Sequence, residues 1–177
     1  LAFGAQRMAS KGFLVNGLSV IENLGAVTVI ATDKTGTITE NTMEVATWEE
    51  ENKHQIPSDK LLDAALLCNS ADASGGDPVE QALINFAGKY TDVTHRRSQS
   101  PLASEYPFDY HLKRMTTVHV LSEGFTVFCK GAPEVILRVC QNLLTPDGKK
   151  EMTDETYQKL IANHDRMAAL GYRIIGF

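Results

Sequence analysis

The sequence predicts an α+β protein, an antiparallel sheet with helices packed on it, preceded by a partial α/β, Rossmann-like piece. Three observations predict it. Short runs rich in β-branched and aromatic residues at 103–108, 115–121 and 125–130 follow one another, and Ser122-Glu123-Gly124 between the last two suits a tight antiparallel hairpin. Helix signals bracket these runs, with Ser58, Asp77-Pro78 and Thr153 each placed as a cap ahead of an apolar-periodic stretch. Upstream, residues 26–32 form a nearly unbroken apolar run between Gly25 and Asp33, as expected of a strand covered on both faces in a parallel sheet.

In chain order, 1–11 reads as a helix end and 17–24 as a short helix whose Leu18, Ile21 and Leu24 recur at threes, stopped by Gly25. The strand 26–32 puts Asp33 at its carboxyl end, where open α/β sheets bind ligands. After Asn41 the pattern changes: 43–48 reads as a strand, 49–55 as an acidic and polar connection, and Ser58 caps a helix through Ala71. A domain boundary is therefore expected at 41/42, separating 1–41 from 42–177. Gly75-Gly76-Asp77-Pro78 turns into a helix ending near Lys89, and the three strands follow. Pro133 opens a helix to about Leu143, Pro146-Asp147-Gly148 makes a turn, Thr153 caps a long helix to about Leu170, and 172–177 returns as a strand.

Composition narrows the function. Seventeen Lys and Arg against 22 Asp and Glu give a net charge of -5, and the basic residues cluster no further than doublets, Arg96-Arg97, Lys113-Arg114 and Lys149-Lys150. That argues against a nucleic-acid face. The uncharged runs 12–21 and 23–32 contain Asn and Gly and fall well short of the roughly 18 apolar residues a membrane span needs. Cys68, Cys129 and Cys140 have no metal-type spacing and read as reduced thiols in a cytosolic setting. The five histidines, His54, His95, His111, His119 and His164, show no ligand spacing either. With no basic leader at Leu1 and a last segment that breaks off in mid-strand, both ends look cut from a longer chain.

The sharpest chemistry lies in Asp33-Lys34-Thr35-Gly36-Thr37-Ile38-Thr39-Glu40-Asn41. A phosphate suits it: Gly36 allows close backbone approach, amides and the Thr35 and Thr37 hydroxyls can donate, Lys34 offsets negative charge, and Asp33 is a candidate nucleophile for phosphoryl transfer. A carboxylate meeting a triphosphate needs a divalent ion, and Asp33 with a neighbouring carbonyl offers hard oxygen ligands for Mg²⁺. On the residues alone, a polar turn after a strand is an equal reading. The run from Asp33 to Thr37, extended through Thr39 and Asn41, resembles the phosphorylation signature of P-type ATPases, ion pumps of the haloacid dehalogenase superfamily.

Four further segments resemble that family in its own order. Gly76-Asp77-Pro78-Val79-Glu80-Gln81-Ala82-Leu83 corresponds to a segment whose acidic residue, here Glu80, lies near the adenine, although Asp77, Pro78 and Glu80 equally suit a helix cap. Pro107 to Thr116 resembles the adenine-stacking segment, which assigns Phe108 to stacking and Lys113 to the nucleotide; alone, such a Phe would read as core. Calcium pumps carry an Arg where this chain has Tyr110, and Arg114 could substitute. Lys130-Gly131-Ala132-Pro133-Glu134 implies Lys130 at the inner end of the pocket with Gly131 letting the nucleotide approach the backbone, while Arg173 in 170–175 matches a phosphate-contacting arginine.

The resemblance implies an ATP-binding part of a cation pump on the cytoplasmic side of a membrane, taking ATP and Mg²⁺, with Asp33, Lys34, Thr35 and Thr37 as the catalytic group, Asp33 and Thr35 toward the metal, and Glu80, Phe108, Lys113, Lys130, Gly131 and Arg173 toward the nucleotide. The ion would pass through membrane helices of a parent protein, and the partners would be ATP, the cation and other domains of the same pump. Thr35, where simple phosphatases of the superfamily place a second Asp, suits a long-lived aspartyl phosphate. Lys130 to Glu134 together with Phe108 to Met115 resembles the calcium, sodium-potassium and proton pump branches more than the heavy-metal branch, whose His-Pro pair is absent, and within those branches the reading leans to a calcium-type pump. Two alternatives stay open: a stand-alone nucleotide-binding regulatory module, and a dehalogenase-type phosphotransferase completed beyond Phe177.

Overall fold

The computed structural model describes residues 2–14, 16–50, 56–72, 75–122, 124–145 and 148–177, and the chain divides into two compact units, Leu1–Asn41 and Thr42–Phe177. Residue 1, the polar stretch 51–55 with His54, Glu123 of the expected hairpin turn, and Pro146-Asp147 lie outside the described residues.

The first unit contains two short helices, α1 (Ala2–Ala9) and α2 (Leu18–Leu24), which meet where Gly4 approaches the Ile21 side chain. Residues 26–33 then run without a ladder, and Val29 and Ile30 are 80% and 83% exposed. This departs from the buried strand that the apolar pattern predicts. A strand's N–H and C=O groups need a neighbour to bond, and this unit has no other strand among its described residues.

The second unit is built on α3 (Asp59–Leu67) and α4 (Pro78–Gly88). Ser58 caps α3 by accepting from the Leu61 amide at 3.2 Å, and Asp77 caps α4 by accepting from the Val79 amide at 2.9 Å with Pro78 in the first turn, contacts typically contributing about 1 kcal/mol each. Leu62, Leu66 and Leu67 of α3 and Phe86 and Ala87 of α4 form the core, with Val45, Trp48, Val93 and Phe128 packed against it. Residues 43–48 do not form the predicted strand. They dock by side chains, Trp48 lying 5.3 Å from Phe86 and 5.9 Å from Tyr90 between ring centroids, so burial rather than a ladder fixes them.

The helix α3 stops at Leu67, short of the predicted Ala71, because tertiary partners take its last carbonyls. The Asn69 side chain donates through Nδ2 to Ala65 O, Arg97 donates to Leu66 O through Nε and Nη2, and the Thr117 hydroxyl donates to Leu67 O. His119 is wedged between Leu67 O at 2.9 Å and Ser100 O at 2.8 Å. Arg97 comes from α5 (Val93–Ser98), a short helix not expected from the sequence; Asp92 caps it, and Arg96 ties it to α3 by pairing with Asp59 and Asp63.

Strands β1 (Leu102–Asp109), β2 (Arg114–Leu121) and β3 (Gly124–Gly131) form the predicted antiparallel sheet in the order β1-β2-β3. β2 and β3 pair without interruption from Arg114↔Gly131 to Leu121↔Gly124. β1 and β2 slip by one residue between Tyr106↔Thr116 and Asp109↔Arg114, a bulge containing Pro107 and Phe108, as suits a proline that has no amide to give a ladder. α6 (Pro133–Val139) is shorter than predicted because β4 (Asn142–Thr145) and β5 (Gly148–Glu151) form a hairpin around the turn signal there. α7 (Asp154–Ala169) is capped by Thr153 as expected. The final segment forms one isolated bridge, Gly131↔Gly176, instead of a full strand. No helix of the described residues is long and apolar enough to cross a membrane.

Candidate functional site

Lys130 and Glu80 are fifty residues apart in sequence and in direct contact, Nζ to Oε1 at 2.6 Å, with side chains only 8% and 14% exposed. The register places Lys130 opposite Met115, on the sheet face that alternates with Thr117 and His119 and turns toward α3. A charge there needs a partner, and Glu80 in the first turn of α4 supplies it. The Ser70 amide donates to the same Oε1 at 3.3 Å, so Oε2 has no partner among the described residues. Around this pair, the Asn69 amide donates to Glu80 O at 3.0 Å, and the Ser70 hydroxyl donates to Glu105 at 2.9 Å.

Asn69 and Ser70 escape sequence reasoning. The signal is two polar residues directly after the buried turn Ala65-Leu66-Leu67-Cys68, a place where side chains must finish the helix. Gly76 was a turn residue by sequence, but its constraint is closer: a Cβ there would lie 2.5 Å from Ala71 Cβ. Burial pushes the neighbouring Cys68 thiol up from its ordinary range, with the Lys130 charge pulling in the opposite sense. The thiol donates to Met115 O at 3.6 Å.

Gly131 meets the chain's own backbone. A Cβ would stand 2.4 Å from Lys113 O and 2.8 Å from Arg114 Cβ, so no side chain fits where β3 closes on β2. The Ala132 amide donates to Lys113 O at 3.0 Å, and Lys113 adopts the left-handed region at φ 50. Lys113 Nζ approaches Glu134 at 3.7 Å, both half-exposed, an ion pair that solvent weakens. Phe108 sits in the β1 bulge at the other side of this loop, exposed, with its ring 5.4 Å from that of Tyr110.

The structure therefore brings together Glu80 with Lys130, and Lys113 with Gly131 and Glu134, with Phe108 on the strand leading into that loop. Arg173 lies three residues before the Gly131↔Gly176 bridge, exposed and without an ion pair among the described residues. Two clefts, of about 360 Å³ between residues 42–45 and α4 and about 200 Å³ beside Arg97, Glu105 and His119, contain neither Phe108 nor Lys130.

Asp33, Lys34, Thr35 and Thr37 belong to the other unit. Asp33 is exposed; its Oδ1 accepts from the Lys34 amide at 2.7 Å. Residues 34–39 close as a turn, with Ile38 and Thr39 amides donating to Lys34 O, the Thr39 hydroxyl accepting from Gly36 N at 3.3 Å, and Gly36 at φ 73. The Thr35 and Thr37 side chains make no hydrogen bond among the described residues. No group of three His, Cys, Asp or Glu side chains gathers among the described residues to hold a metal by itself. The Asp33 carboxylate and the Thr35 carbonyl are nonetheless hard oxygen donors of the kind Mg²⁺ takes alongside water and phosphate oxygens.

Comparison with known proteins gives a consistent result. A family profile described as "P-type ATPase, cytoplasmic domain N" matches residues 58–177. The chain is 32% identical over its full length to "Calcium-transporting ATPase 1" of Lactococcus lactis, covering 22% of that protein, and 32% identical over its full length to "Sodium/potassium-transporting ATPase subunit alpha-4" of Homo sapiens, covering 20% of it. The chain thus spans about a fifth of the curated relatives it matches.

Proposed function

We propose, starting from the premise that the chain belongs to the P-type ATPase family, that it is the part of a cation-transporting pump that binds ATP and receives its terminal phosphoryl group. Residues 42–177 act as the nucleotide-binding domain and residues 1–41 carry the phosphorylation loop. The observation that carries this reading is the buried Lys130–Glu80 pair, set across β2 from the bulge that exposes Phe108. Phe108 offers a face for a base, and aromatic stacking is worth ~1 to 3 kcal/mol per base in other nucleotide sites. Glu80 Oε2 is open to an amino donor of the base. Lys113, half-exposed beside Glu134, and the exposed Arg173 are the cations assigned to the nucleotide's phosphates.

In the chemical step, an Asp33 carboxylate oxygen attacks the γ-phosphorus, the bond to the bridging oxygen breaks, ADP leaves, and the acyl phosphate remains on Asp33. Lys34, with the unbonded Thr35 and Thr37 hydroxyls, would hold the transferring oxygens. Mg²⁺, held by the Asp33 carboxylate and the Thr35 carbonyl oxygen, would screen the repulsion between carboxylate and phosphate. The missing His-Pro pair sets the chain apart from the heavy-metal branch, and within the remaining branches a calcium-type ion is the reading favoured; the relatives above include calcium- and sodium/potassium-transporting proteins at the same identity.

Titration of the chain with ATP tests the nucleotide assignment. Phe108→Ala, at an exposed bulge, should leave the fold intact and weaken ATP by about tenfold or more; unchanged affinity would remove the site. For the phosphoryl step, the intact parent protein should show a hydroxylamine-sensitive label from ATP that Asp33→Asn abolishes.

A further inference from the structure

We propose that Tyr110 is a positioning residue for the base end of the nucleotide site, holding Phe108 so that a purine meets a fixed aromatic face; the inference rests on the nucleotide-site reading above. The two rings stand 5.4 Å apart at 84°, the edge-to-face arrangement that aromatic quadrupoles favour. Tyr110 is 86% exposed, so the contact is not a by-product of core packing.

The backbone fixes this geometry from both sides. The bulge at Pro107 and Phe108 re-aims the Phe108 side chain relative to the rest of β1. Beyond it, Asp109 Oδ1 accepts from the His111 amide at 2.7 Å and the Leu112 amide at 2.8 Å, a turn that holds Tyr110 at its tip. Lys113 closes the loop in the left-handed region, anchored by the Ala132 amide on its carbonyl. A ring carried on so constrained a turn loses little freedom when it braces a neighbour. The phenol makes no hydrogen bond among the described residues, so its effect should fall on the base and not on the phosphates.

Calorimetric titration of the full 177-residue chain with AMP, ATP and inorganic triphosphate reads this directly. Tyr110→Ala should weaken AMP and ATP by the same factor, about three- to tenfold, the range an aromatic pair supports. Inorganic triphosphate binding and the thermal midpoint should not move, Tyr110→Phe should restore the affinity, and in a Phe108→Ala background Tyr110→Ala should add nothing. Loss of ATP without loss of AMP would make Tyr110 a phosphate contact and overturn the proposal, as would additive losses in the double variant. If Phe108→Ala weakens AMP while Tyr110→Ala does not, this inference alone falls. If Phe108→Ala leaves AMP unchanged, the nucleotide site falls and takes the inference with it.

Discussion

Residues 26–32 and β3 carry the same kind of sequence, β-branched and apolar, and end in opposite circumstances. In β3 every residue from Gly124 to Gly131 described has a partner on β2, and its penultimate residue, Lys130, has its charge buried against Glu80. In 26–32 the backbone has no ladder within its unit, and its large side chains stand in water. The difference shows that strand propensity is a statement about fitting a pleated, covered surface, and that the surface has to be provided by another segment. Where it is provided, the strand can carry a charge into the interior; where it is not, even valine and isoleucine stay exposed.

The strongest way to break that contrast is to remove the charge that β3 buries. Lys130→Met leaves Glu80 buried and unpaired and should destabilise the second unit by ~3–5 kcal/mol, whereas Lys113→Met, at the half-exposed pair with Glu134, should cost at most ~1 kcal/mol. Urea unfolding measures both. The double change Lys130→Met with Glu80→Met should recover most of the loss; if it does not, packing of the lysine stem and not pairing of the charge is what β3 provides.

A smaller effect sharpens the same point through pH. Burial raises the Cys68 thiol above its ordinary value of 9.0, so its contribution to stability is complete below that value and declines as pH rises through the folded-state value, because the unfolded chain gives up the proton first. Unfolding midpoints between about pH 8 and about pH 10 should fall more steeply for the parent chain than for Cys68→Ala. Equal slopes would mean that water reaches the sulfur and that this face of the sheet is less covered than the contacts indicate.

What the sequence made legible follows the range of the interactions. The caps at Ser58, Asp77 and Thr153 and the three strands depend on neighbours a few residues away, and all appear where their signals stand. The end of α3, by contrast, is decided by Arg97, Thr117 and His119, which arrive from α5 and β2. Residues 43–48 have the alternation of a strand, yet Val45 and Trp48 reach the core without a ladder. In the candidate site, motif order singled out Glu80 and Lys130 separately, but no spacing announces that they touch. The motif at Gly131 implies approach by a nucleotide, and the atoms that exclude a side chain there are Lys113 O and Arg114 Cβ.

The mildest test returns to the unpaired run. Ile30 is 83% exposed, so Ile30→Ala should change the unfolding free energy by no more than ~0.5 kcal/mol, the scale of surface substitutions, where the same truncation at a buried isoleucine such as Ile136 should cost ~2–5 kcal/mol. Alkylation offers an independent reading: Ile30→Cys should label as fast as a thiol in an unfolded peptide, and Cys68 slowly. A cost near that of Ile136→Ala, together with slow labelling at position 30, would mean that residues 26–32 find a covering partner in solution. The contrast with β3 would then be one of which segment supplies the neighbour, and Asp33 would sit at the end of a buried strand, as its apolar lead-in predicts.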